Sequence, residues 1–381
     1  MIRKPGVILA VNAGSSSLKF ALYPLRGDSP GVEEALMSGQ VDGLESDLDG
    51  GYAGALTALR ERLTGHAQAL AAVAHRVVHG GARYRSSVRV TGAVLRDLET
   101  LIPLAPLHQP HNLQGITACA EAFAGVPQIA CFDTAFHASL PEVEWRLPIA
   151  DAHADAGIRR YGFHGLSYQY VMSVLRERSR RAGGRVLMAH LGNGASLCGT
   201  LGGASRATTM GFSALDGLMM GTRSGALDPG VLLHWLSEGW NHERIQAELY
   251  RRSGLLGVSG IAADMRVLRT SNLPGARRAI ELFTERVVRE CGAIAGVLGG
   301  LDLIAFTGGI GENDAALRAA VCARLAFLGT RIDPTANDDT HASRARRISA
   351  EGSPVEVWMV PTDEGRVAAG EAAALLRATN G

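Results

Sequence analysis

Residues 10–18 read AVNAGSSSL, and residues 189–197 read AHLGNGASL. The two stretches align without a gap at a shift of 179 residues, although only Ala, Ser and Leu match. Each is an apolar strand, then a turn of small residues, then a second extended run, which together read as a β-hairpin. Two such hairpins about half a chain apart point to a duplicated domain. Working outward, further apolar strands are expected at 73–78, 128–132, 186–190, 303–306 and 355–360. Helical patterns cover 53–63, 113–123, 166–181, 229–237, 276–298 and 366–377, and polar or Gly-rich loops cover 27–31 and 42–54. Strands and helices alternate from end to end, so the class is α/β.

The 381 residues suggest two domains, and 46% hydrophobic residues suffice for a sizeable core. A net charge of +1 argues against a dedicated nucleic-acid binder. The Arg clusters at 176–181 and 344–347 read as solvated helix ends or loops. Five cysteines stand at 119, 131, 198, 291 and 322 with no C-x-x-C, the usage of a reduced, cytosolic protein. The apolar run after the charged start stops at Asn12, too short for a signal peptide. No stretch approaches the length of a membrane span. Lysine occurs only at Lys4 and Lys19, which draws attention to position 19.

A phosphate needs inward-pointing backbone N–H groups and a close approach of the main chain, and small residues permit both. Three segments that follow apolar strands offer this: 12–19, 190–194 and 308–313. The first adds three hydroxyls and one ammonium. There is no G-x-x-x-x-G-K-[ST] and no G-x-G-x-x-G, which disfavours a Walker loop and a dinucleotide-binding Rossmann fold.

Ten segments in order along the chain carry a resemblance: VNAGSSSLKF (11–20), HRVVHGG (75–81), LAPLHQP (104–110), FDTAFH (132–137), YGFHG (161–165), HLGNGAS (190–196), TTMGFSALDGLMMGTRSG (208–225), GVSG (257–260), FTGGIGEN (306–313) and PTDEG (361–365). On these the chain resembles the acetokinase family, within the superfamily of sugar kinases, actin and heat-shock chaperone ATPases. The resemblance implies a two-lobed, duplicated ribonuclease H-like (actin-like ATPase) fold with a nucleotide cleft between lobes. It implies an N-terminal lobe over 1–148, a C-terminal nucleotide-binding lobe over 149–365, and a C-terminal helix (366–381) packed back on the first. The implied reaction is an acetate kinase's reversible transfer of the ATP γ-phosphoryl to acetate, giving acetyl phosphate and ADP. Magnesium, or manganese in its place, is implied as cofactor, and a homodimer as the assembly.

Such a transfer needs positioning and electrostatic stabilisation more than covalent chemistry. By resemblance, Arg76 binds the carboxylate, and Arg223 contacts both carboxylate and transferring phosphoryl. A guanidinium fork suits planar oxyanions. His164 resembles the transition-state-stabilising histidine, and His108 a second active-site histidine. Asp133 resembles the catalytic aspartate. The acceptor carboxylate is already ionised at neutral pH and needs no general base, so Asp133 is read as organising magnesium and hydrogen bonds. Asn12 and Glu364 match metal-site residues, and magnesium needs only one or two direct protein oxygens. Ser15, Ser17 and Lys19 are expected at ATP phosphate. Further nucleotide contacts are expected from His190, Leu191, Gly192, Asn193 and Gly194, and from Gly309, Ile310, Gly311, Glu312 and Asn313. Asp264, Met265 and Arg266 are expected by the adenosine.

Val78, Leu107, Phe163 and Ala214 are expected around the acyl methyl. Ala214 stands where a proline is frequent in the family, and Ser224 where a cysteine is frequent. His66, His75 and His341 read as core histidines, and His75 with His79 on a strand does not form a zinc pair. Both Arg76 and Arg223 are expected to be removable with retention of the fold. Three alternatives stay open. A propionate or butyrate kinase would share the machinery with a wider pocket. A sugar or polyol kinase would use Asp133 as a base. A non-catalytic nucleotide-switched protein would have no use for Arg76, His164 and Arg223 together.

Overall fold

The computed structural model describes residues 6–14, 16–25, 32–43, 51–63, 65, 69–339 and 344–378. Ser15, His66 and His341 lie outside the described residues. The chain divides into two units. One comprises Met1–Ala138, Gly165–Tyr170 and Asp363–Gly381, and the other Ser139–His164 and Val171–Thr362.

In the first unit, β1 (Val7–Ala13), β2 (Ser17–Pro24), β3 (Met37–Asp42), β4 (Leu70–Val77), β5 (Val88–Arg89) and β6 (Gln128–Phe132) form one sheet in the order β3-β2-β1-β4-β6-β5. The β3-β2-β1 meander is antiparallel, and β1-β4-β6 is parallel. Side chains alternate across a strand. Accordingly Val7, Leu9, Val11 and Ala13 pack with Tyr52, Leu56, Leu59 and Cys119. Ile8 and Ala10 point the other way, against Ala368, Ala369, Ala372 and Ala373 of the helix Glu364–Ala378. A strand covered on both faces reads as a continuous apolar run.

The second unit repeats the plan. The strands β7 (Arg185–Leu191), β8 (Ala195–Leu201), β9 (Ala204–Thr208), β10 (Leu303–Thr307), β11 (Arg346–Arg347) and β12 (Glu356–Met359) take the order β11-β12-β10-β7-β8-β9. The β7-β8-β9 meander is antiparallel and β7-β10-β12 is parallel. The two hairpin turns of the sequence repeat thus occupy matching places, between β1 and β2 and between β7 and β8. The long helix Pro274–Leu298 buries Ala276, Ala279, Phe283, Val287, Cys291 and Ile294, a stripe at three- and four-residue spacing.

The expected elements differ from the observed ones in places. The first helix begins at Gly51, inside the expected loop 42–54. The strand β3, MSGQVD, lay in no expected element, because its polar residues alternate along an edge. The segment expected as a turn at 308–311 is a short helix, Gly308–Asn313, starting directly after β10. The first stretch of the first unit runs to Ala138, against an expected boundary near 148, and Gly165–Tyr170 belongs to the same unit. Residues 139–164 are tied within the second unit, by Ser139 Oγ on Ser205 O, Tyr161 N on Gly211 O, and Arg160 Nη1 on the carbonyls of Thr208, Thr209 and Met210. All five cysteines are free and buried. Among the described residues no helix is long and apolar enough to cross a membrane.

Candidate active site

The first unit carries a charged cluster at the ends of its central strands. Asn12, near the end of β1, lies opposite Lys19 of β2 in the register. The turn between them closes through Gly14 N donating to Ser17 O at 2.9 Å. Arg76 is the penultimate residue of β4, and Asp133 follows β6 directly. The parallel pairing of β4 and β6 brings them side by side. Arg76 Nε donates to Asp133 Oδ1 at 3.0 Å and Oδ2 at 3.2 Å, and Nη2 donates to Oδ2 at 2.7 Å. The remaining arm, Nη1, meets Glu364 Oε2 at 3.2 Å. Burial alone would lower the Arg76 pKa, but the Asp133 and Glu364 carboxylates more than offset it and hold the guanidinium charged. Asp133 is 1% exposed. Its own carbonyl accepts from Gly165 N at 2.9 Å. A Cβ on Gly165 would stand 2.2 Å from that carbonyl oxygen, so only glycine permits this approach.

Val78 follows β4, and Leu107 and His108 precede the helix Gln109–Ala122. One buried side chain missed by the sequence reading joins this region to the phosphate turn. Asn112 Oδ1 accepts from Val78 N at 2.9 Å, and Asn112 Nδ2 donates to Ala13 O at 2.9 Å. Its signal was slight: a polar residue in the first turn of a helix, on the face turned toward the sheet.

The second unit holds a different constellation. His164 is the only non-glycine residue with positive φ among the described residues, at φ 58°. A left-handed conformation at such a residue carries about 1–3 kcal/mol of strain and persists only where the surroundings fix it. They do so here. His164 Nδ1 lies 2.8 Å from Ser196 Oγ, and the ring stacks on His190 at 4.2 Å between centroids. Arg223 Nη1 donates to Ala214 O at 2.6 Å. Burial lowers the Arg223 pKa, and among the described residues no carboxylate lies within ion-pair distance of it. A Cβ on Gly194 would stand 3.2 Å from Arg223 Nη2 and 3.3 Å from His164 Nε2. A cation with no carboxylate partner among the described residues and an imidazole nitrogen therefore converge closely on Gly194. Phe163 is buried beside His164 in the chain, and Ala214 sits in this unit through its bond to Arg223.

Nearby is a cavity of about 860 Å³ lined by Gly192, Asn193, Asp264, Met265, Arg266, Gly309, Ile310 and Asn313, with Ala263, Arg269, Asp314 and Ala315 completing it. This volume lies within the usual range for small-molecule pockets. Asp264 caps the helix Met265–Thr270 by accepting from Arg266 N, and pairs with the Arg266 side chain at 2.6 Å. Those contacts hold its carboxyl below the usual range. Asp314 pairs with Arg269 at 2.9 Å.

Not every expected nucleotide residue lines that cavity. Glu312 turns inward, where Oε1 accepts from Gly308 N at 2.8 Å and Thr362 N at 3.1 Å. Gly311 is buried, with its carbonyl on Arg318. Leu191 is buried within β7, and His190 is taken up by the stack. Arg318 itself is 1% exposed. Its guanidinium bonds the carbonyls of Gly311, Glu312 and Asn337 and the Asn337 side chain. It was missed among many arginines in the sequence, as was Ser196, whose only signal is its place opposite His190 in the β7–β8 register.

Comparisons with known proteins agree with this construction. A family model described as "Acetokinase family" matches residues 7–370. The chain is 48% identical over 386 residues to an acetate kinase of Rhodopseudomonas palustris, covering 94% of this chain and 95% of the relative. It superposes on the crystal structure of Porphyromonas gingivalis acetate kinase with a TM-score of 0.84 and 33% identity, covering 97% of this chain and 100% of that one. It superposes equally on a propionate kinase from Francisella tularensis subsp. tularensis, with a TM-score of 0.84 and 33% identity over 96% of this chain and 98% of that one. With its duplicated sheets, its two residue constellations and a family match over nearly its whole length, the chain belongs to the acetokinase family.

Proposed function

We propose that the chain catalyses the reversible transfer of the γ-phosphoryl group of ATP to acetate, forming acetyl phosphate and ADP. The observation that carries this is Arg223: a half-buried guanidinium with no carboxylate partner among the described residues, converging with His164 Nε2 on Gly194. A half-buried cation without a counter-ion is a poor structural device and a good anion site. A phosphoryl group in transfer spreads its charge over oxygens, which is what such donors meet.

Roles follow residue by residue. Arg76 binds the carboxylate, and Val78, Leu107, His108, Phe163 and Ala214 contribute to acyl recognition. A carboxylate oxygen attacks the γ-phosphorus and a bond to the β–γ bridging oxygen breaks, leaving ADP. No proton has to move, so Asp133 acts as an organiser and not as a base. Arg223 and His164 donate to the transferring oxygens. Gly192, Asn193, Asp264, Met265, Arg266, Gly309, Ile310 and Asn313 bind the nucleotide, supported by the cavity they line. Ser15, Ser17 and Lys19 serve the phosphates. Glu312, Leu191, Gly311, His190 and Gly194 shape that site without lining the cavity.

The family acts with a divalent metal, and magnesium is the ion we propose. Asp133 and Glu364 fit it: both are hard oxygen donors, and both converge on Arg76. Magnesium usually takes one or two protein carboxylates and completes its shell with water and phosphate. When bound, the ion would be held by Asn12, Asp133 and Glu364 and would neutralise phosphate charge.

A homodimer is proposed from the family resemblance, and the five buried thiols fit a reducing, cytoplasmic setting. Propionate is the second reading, favoured by Ala214 and by the similarity to a propionate kinase. The test is hydroxamate formation with ATP, magnesium and acetate, propionate, glucose or glycerol. Product with the carboxylates alone supports the reading. ATP turnover that is equal without any carboxylate refutes it.

A further inference from the structure

His164 is gripped by two groups from the second hairpin. His190 of β7 covers its ring face, and Ser196 of β8, opposite His190 in the register, meets its Nδ1 at 2.8 Å. Ser196 is fully buried, and His164 holds a left-handed backbone that aims the ring at this contact. The contact decides what the other nitrogen can do. In a neutral imidazole one nitrogen donates and the other accepts, and the partner of the first sets the second. Were the hydroxyl to accept from Nδ1–H, Nε2 would present a lone pair toward Gly194 and Arg223. A lone pair there would repel phosphoryl oxygens. With the Arg223 cation adjacent, the neutral ring protonated on Nε2 adds a donor without adding charge.

We propose that Ser196 is a positioning residue for His164: its hydroxyl donates to Nδ1, so that the proton of the ring sits on Nε2 and faces Gly194 and Arg223. The inference rests on the phosphoryl-transfer reading for its purpose, but not for its measurement. Serine suits the place because it is small enough for a fully buried strand position and carries one rotatable O–H. An alanine there removes this donor and loosens the hold on the ring about χ2.

The test is nitrogen NMR of the full chain labelled in histidine, with His164→Gln used only to assign the resonances. The expected result at neutral pH is a bare Nδ1 and a protonated Nε2 for His164. Ser196→Ala should lower kcat about tenfold or more while KM for ATP and acetate stays within threefold, and Ser196→Cys, a weaker donor, should fall between. A protonated Nδ1 in the parent overturns the proposal, as does a Ser196→Ala kcat within threefold of the parent. If Ser196→Ala fails to fold, the parent spectrum still decides. If acetate is not phosphorylated at all, the spectrum reads the tautomer regardless, so the two claims fail separately.

Discussion

Arg223 and Arg76 are both largely withdrawn from water, and they differ in what faces them. Arg223 meets a carbonyl and, among the described residues, no carboxylate, so Arg223→Ala should fold normally and lose about 10²–10³ in kcat, the usual effect of removing one preorganised donor. Arg223→Lys should recover little, since a point charge does not reproduce the fork; kcat within threefold of the parent for either variant would contradict the placement. Arg76 is different. The sequence alone suggested that it could be removed with the fold intact, but it neutralises Asp133, whose side chain is 2% exposed. Arg76→Ala should therefore lose stability as well as activity, by up to about 3 kcal/mol in urea unfolding. An unchanged midpoint would show that the fold does not depend on the Arg76–Asp133 pair. Ala214 is tied to Arg223 through its carbonyl, which a proline would retain. Proline also fixes φ and adds ring volume to one wall. One methylene in an apolar pocket is worth roughly 10–200-fold in discrimination, so Ala214→Pro should raise the acetate-to-propionate ratio of kcat/KM by about tenfold. An unchanged ratio removes Ala214 from chain-length selection. At this scale the residues legible in the sequence are those whose motif names a chemistry, such as Arg76, Asp133 and Arg223. Asn112, Ser196 and Arg318 were not legible, because their work is done on backbone atoms and neighbours distant in the chain.

The strand β4 carries a second chemistry unrelated to transfer. His75 is buried, with Nε2 2.7 Å from Gln128 Oε1. Burial pushes its pKa down to about 4 despite that bond, and burial likewise pushes His79 down to about 4. Both rings are neutral in the folded protein at pH values where the unfolded chain would protonate them. Above about pH 6.5 the two states bind protons alike and the full stability is present. As pH falls from there toward 4 the unfolded state takes up more protons, and stability is lost. The urea midpoint should accordingly drop between pH 6.5 and pH 4, and His75→Gln should lose less of its own midpoint over that interval. Equal losses in parent and variant would place the acid sensitivity elsewhere. Among elements, β1, β4, β6, β7 and β10 were legible because sheets covered on both faces need apolar runs. The two-residue strands β5 and β11 and the polar edge β3 exist only through a neighbour's backbone, which no local pattern announces.

At the scale of the molecule, the repeat of 10–18 at 189–197 announced the duplication, and two six-stranded sheets of matching order bear it out. The division of the chain was less legible. Residues 139–164 belong to the second unit through Arg160 and Tyr161, and Gly165–Tyr170 and Asp363–Gly381 return to the first. The returns are made by Gly165 N on Asp133 O, Tyr23 Oη on Asp363 and the Arg76–Glu364 pair, contacts between residues far apart in the chain that composition does not announce. Arg76 and Asp133 belong to the first unit, and Arg223, His164 and the nucleotide cavity to the second. The proposed reaction is transfer of the γ-phosphoryl group to a carboxylate oxygen. Phosphorus NMR with acetate labelled with ¹⁸O in its carboxylate tests this most directly. With ATP and magnesium, the account predicts acetyl phosphate whose phosphorus signal is shifted by an ¹⁸O in the bridge. Inorganic phosphate appearing in its place, or ATP consumption that is indifferent to acetate, would contradict it.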